Sequence, residues 1–77
     1  SQAAALNKPR RRSFKESREL EALDKQLPLF ETQRLELEAS LSQGGEDSTV
    51  LSKQLAELIE TLHKAEERWL ELSELAP

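Results

Sequence analysis

The chain has 77 residues, with eleven Lys or Arg against fifteen Asp or Glu, one His, two Gly, three Pro and no Cys, and a formal net charge of −4. That length holds one small domain at most, and the lack of cysteine removes disulfide frameworks and thiolate chemistry and makes a reducing cytoplasm the expected compartment. Ala, Glu, Lys, Leu and Arg supply 47 residues, a composition of long helices and coiled coils, while Val50 and Ile59 are the only β-branched aliphatics, which excludes a sheet.

Residues 1–12 show no apolar period, contain Pro9 and three consecutive arginines, and read as a basic linker or flexible arm. Most of the positive charge gathers there. Residues 1–18 carry Lys8, Arg10, Arg11, Arg12, Lys15 and Arg18 against one anion, Glu16, whereas residues 19–77 carry five cations and fourteen anions. A basic end joined to an acidic body suits a chain that meets a polyanion at that end, and a solvated linker carries the same pattern. The start is too short and too weakly apolar for a signal peptide, and no run reaches the roughly 20 apolar residues that span a bilayer, so no membrane is expected.

Helical order is expected from Ser13, because Ser13-Phe14-Lys15-Glu16 fits a capping box in which the serine oxygen and the glutamate satisfy each other's backbone amides. Leu20, Leu23, Leu27, Phe30, Arg34, Leu37 and Leu41 then alternate by three and four residues and define a heptad seam with one polar member. Pro28 interrupts it by removing a backbone donor, and Asp24 is a good helix cap. A break or kink is therefore expected between them, separating a short helix over 13–23 from a longer one over 24–43.

Gly44 and Gly45 with the cap formers around them predict a turn over 44–48. A second long helix is expected over 49–75, with its own seam of Leu51, Leu55, Leu58, Leu62, Ala65, Trp69 and Leu72, closed by Leu75. Laid antiparallel, the two seams match throughout, from Leu41 opposite Leu51 through Leu23 opposite Trp69 to Leu20 opposite Leu72. The expected fold is all-α, an antiparallel two-helix coiled-coil hairpin with a short N-terminal helix or fold-back.

The stretch Ser13-Phe14-Lys15-Glu16-Ser17-Arg18-Glu19-Leu20-Glu21-Ala22-Leu23, followed after the hairpin by Glu67-Arg68-Trp69-Leu70-Glu71-Leu72, resembles the C-terminal domain of Uup-type ABC-F ATPases over residues 10–76. Members of that family commonly have tyrosine where Phe14 stands and proline where Asp24 stands. The resemblance implies a non-catalytic domain that binds DNA, preceded in its parent by two ABC ATPase modules and a basic linker. It places ATP and magnesium in those absent modules and no cofactor in this fragment. The parent ATPase modules are a further partner on this reading, and RNA or the ribosome is the alternative to DNA.

The residues themselves single out the basic cluster. Lys8, Arg10, Arg11, Arg12, Lys15 and Arg18 are the candidate nucleic-acid contacts, able to neutralise phosphates in a sequence-independent and salt-dependent way. Trp69 and Phe14 could stack on bases, but Trp69 falls in the seam and Phe14 is expected to cover its open end beside Leu72 or Leu75. Arg34 is expected to lay its stem along the seam and reach solvent near Glu31 or Glu57. His63 with Glu66 and Glu67 has helical spacing for a weak metal site but points outward, and no catalytic constellation is recognisable. The fragment is expected to be a monomer, with self-association through Leu29, Leu35, Ile59 and Leu70 as the rival.

Overall fold

A computed structural model describes residues 10–77 as an all-α hairpin of two long helices, α1 over Phe14–Ser42 and α2 over Ser48–Ser73. The capping box starts α1: the Glu16 amide donates to Ser13 Oγ at 3.1 Å, and the Ser13 amide donates to Glu16 Oε1 at 2.9 Å. Two of the helix's orphan donors are thereby satisfied, which is why order sets in here.

The division expected between Asp24 and Pro28 is not observed, because α1 runs unbroken through Pro28 for 29 residues, about 43 Å of helix. Proline deprives the Asp24 carbonyl of its usual donor, but Asp24 and Pro28 both face solvent, where water can take that place. The Asp24 carboxylate does not cap a helix; it accepts a 2.7 Å hydrogen bond from the Trp69 indole on α2. Seam residues on both sides of the proline, Leu23, Leu27 and Phe30, are held against α2, so tertiary packing overrides the local breaking signal.

α1 ends at a Gln43 cap, and the chain reverses through Gly44 (φ 74°) and Gly45 (φ 129°), a backbone region that a Cβ would strain. Asp47 precedes α2 without a side-chain cap bond, although its carbonyl accepts from the Leu51 amide at 2.9 Å. Helix 2 thus begins at Ser48 and closes at Ser73, against the expected 49–75.

The core is the seam. Leu23, Leu62 and Leu72 are buried, and every other seam position on both helices is half-buried, including Arg34. Trp69 reaching Asp24 lies one residue from its expected neighbour Leu23, as the antiparallel register requires.

Candidate nucleic-acid interface

The expected flexible arm is tied down over its last three residues. The Arg12 amide donates to the Ala76 carbonyl and the Ala76 amide donates to the Arg10 carbonyl, both at 2.9 Å, so residues 10–12 and the tail beyond α2 form a short parallel bridge. Arg12 adds its side chain: Nη1 donates to the Leu72 and Leu75 carbonyls at 2.9 and 3.0 Å, at the end of α2 where the helical ladder runs out, the Leu72 carbonyl also accepting from the Leu75 amide at 3.2 Å. Its Nε is buried without a partner. Arg12 thus clasps the start of α1 to the end of α2, and its half-buried side chain is engaged there.

Arg10 is engaged as well, donating from Nη1 and Nη2 to the two oxygens of Glu16 at 2.7 Å each, while its own side chain stays 64% exposed. The Arg10 guanidinium, followed by the Ser13 amide, holds the Glu16 carboxyl down at about 2. Glu16 raises the pKa of Arg10 in return. Arg11 faces solvent, its Nε donating to the Pro77 carbonyl at 3.3 Å. Lys8 lies outside the described residues.

Lys15 and Arg18 are exposed on the first turns of α1, and no carboxylate among the described residues lies within 4 Å of either. Phe14 does not cover the end of the seam as expected. Its side chain is 79% exposed, and the Arg18 guanidinium carbon sits over the ring 5.7 Å from the centroid, within cation–π range. The heptad explains the difference, since the alternation carried back from Leu20 falls on Glu16 and Ser13 and leaves Phe14 off the seam line. The structure therefore brings Arg11, Lys15, Arg18 and an open aromatic ring to one end of the hairpin, beside the paired Arg10.

A further arginine at this end escaped sequence reasoning. Arg68 on α2 grips Glu19 on α1 through Nε and Nη2 at 2.8 and 2.9 Å and reaches Glu71 through Nη1 at 3.0 Å. These bonds raise the pKa of Arg68, and Arg68 lowers that of Glu19. The available signal was position: Arg68 and Glu19 each immediately precede a seam residue, Trp69 and Leu20, where flanking charges meet across two helices. Arg34 behaves as a seam arginine with a solvated head, bonding Glu31 at 2.7 Å and Glu38 on its own helix, with Glu38 in place of the expected Glu57. Those bonds raise its pKa, Glu31 contributing most.

His63, Glu66, Glu67 and Leu70 line a shallow surface depression, and among the described residues no three His, Cys, Asp or Glu side chains are grouped to hold a metal ion. No helix of the described residues is long and apolar enough to cross a membrane.

The family model described as the ABC transporter C-terminal domain matches residues 11–74. The chain belongs to that family. The match takes in both helices, the turn and the clasping segment from Arg11 onward, so the ABC transporter C-terminal domain is the whole hairpin rather than one helix of it. No curated protein and no solved structure matches the chain.

Proposed function

We propose that this ABC transporter C-terminal domain is a non-catalytic anchor that holds a Uup-type ABC-F ATPase on DNA by sequence-independent phosphate contacts at the basic end of the hairpin. The observation that carries the reading is the trio Arg11, Lys15 and Arg18, exposed at one end and without a carboxylate partner among the described residues. Elsewhere the charge is opposite: residues 31–60 carry two cations and seven carboxylates, so phosphate is repelled along the rest of the molecule and contact is confined to one end. ATP and magnesium belong, on this reading, to the ATPase modules of a cytoplasmic parent.

Each cation that displaces counterions adds about 0.9 to the dependence of log affinity on log salt for duplex DNA. Changing Arg11, Lys15 and Arg18 together to Ala should weaken binding equally on unrelated sequences and flatten that slope by about two to three. Arg12→Ala serves poorly as a test because it opens the clasp. Anisotropy titrations at several salt concentrations give the slope, and a triple variant with unchanged affinity and slope would overturn the assignment. Docking on the parent ATPase modules or on the ribosome would then be the better reading.

A further inference from the structure

We infer that Phe14 and Arg18 form a base-stacking platform, so that the basic end of the hairpin prefers single-stranded DNA, with its unpaired bases, to a duplex. The inference rests on the DNA-binding reading above and adds a contact with the base to the contacts with phosphate.

The chain has three aromatic residues. Phe30 and Trp69 are half-buried in the seam, and the Trp69 indole is committed to Asp24. Phe14 alone of the three projects into solvent, and among the described residues it is the most exposed of the large apolar side chains. Leu29, Leu35, Val50 and Leu70 are also exposed, but they have no aromatic face.

Phe14 sits where the unpaired cations are. Arg18 lies over its ring, Lys15 is the next residue along, and Arg11 lies two residues before the capping serine. The Ser13 and Glu16 amides of this helix start are already bonded within the capping box, so recognition rests chiefly on the side chains around the ring. A nucleobase stacks on an aromatic ring regardless of its identity, and nearby guanidinium and ammonium groups reach the phosphates on either side. In a duplex the base faces are already covered by their neighbours, which leaves the ring nothing to stack on.

The test compares three strands of equal length in anisotropy titrations: oligothymidylate, an abasic strand with the same phosphates, and a duplex. The native chain should bind oligothymidylate about tenfold more tightly than the abasic strand, within the range one stacked base supplies. Phe14→Leu should abolish that preference while leaving affinity for the abasic strand, affinity for the duplex and the thermal transition unchanged, since the side chain is exposed. Phe14→Tyr should bind like the native chain. Equal binding of oligothymidylate and abasic strand by the native chain would overturn the platform while leaving the phosphate anchor standing. So would tighter binding of the duplex, or a Phe14→Leu chain that loses affinity for all strands alike. Binding to none of the three would overturn both readings.

Discussion

At the clasped end of the hairpin, α1 and α2 are joined by Arg12 on the last carbonyls of α2, by Arg68 on Glu19 and by Trp69 on Asp24, around the buried Leu72 and Leu23. Towards the turn, among the described residues, no side-chain hydrogen bond or ion pair crosses between the helices. Leu37, Leu41, Leu51, Leu55 and Leu58 are only half-buried there, and an open groove of about 540 Å³ runs past Leu37 and Leu58 between Glu36 and Glu57. The two ends share one seam and one periodicity, yet one is fixed by directional bonds and the other by apolar contact alone. Local opening should therefore begin at the turn, with amide exchange slowing steadily toward the clasp. The end held by directional bonds is also the cationic one, so the exposed Arg11, Lys15 and Arg18 stand beside those bonds.

The largest expected effect distinguishes the two ends directly. Leu72 is fully buried, so Leu72→Ala removes apolar burial and leaves a cavity, at a cost of about 2–5 kcal/mol. Leu55→Ala, at a half-buried site near the turn, should cost about half as much, because water already reaches the side chain. Chemical denaturation followed by circular dichroism measures both, and equal losses would mean that the clasped end is no better packed than the loop end. Next in size is Arg12→Ala, which strips a charged donor from two carbonyls and should cost about 1–3 kcal/mol. The same variant should speed amide exchange at Leu75 and Ala76 while leaving residues near Gly44 unaffected. A uniform change along both helices would argue against a local clasp.

The seam was legible because burial in a two-helix hairpin follows a period, and every position in the three-four alternation is buried or half-buried in the structure. The capping box at the clasped end was legible as well, but other features were not, each for its own reason. Arg12 lies in a run of arginines that looks like solvated linker, and its partners Leu72 and Leu75 are some 60 residues away, beyond any local pattern. Pro28 carries a breaking signal that is real for an isolated helix and loses to packing on both sides. Phe14 shows the converse limit: an apolar residue gains from burial, but nothing in its side chain says whether the fold supplies a neighbour to cover it. Of the candidate site, the location was readable from charge. Which cations remain available was not, since the Glu16 carboxylate that serves the capping box also takes Arg10, six residues away and outside the helix.

Acid gives the finest probe of the difference between the ends. Glu16 is held near 2, from an ordinary value near 4.5, by Arg10 first and the Ser13 amide second, and Glu19 is lowered by Arg68. A carboxylate whose pKa is lower folded than unfolded stabilises fully above its unfolded value, and that contribution disappears as the pH falls through the folded value. The clasped end should accordingly loosen between about pH 5 and pH 2, while the turn end, without such a pair across the helices, should show no comparable change. Glu16→Gln isolates the effect, because glutamine can still serve the capping box but carries no charge for Arg10. Its melting temperature should lie below that of the native chain at pH 7, and the gap should close as the pH approaches 2. The gap should be modest and shrink in salt, since Arg10 is largely exposed and surface pairs are screened. A gap that persists undiminished at pH 2 would mean that the charge Glu16 offers Arg10 adds nothing to the fold, and that glutamine does not replace the carboxylate in its cap bond to Ser13.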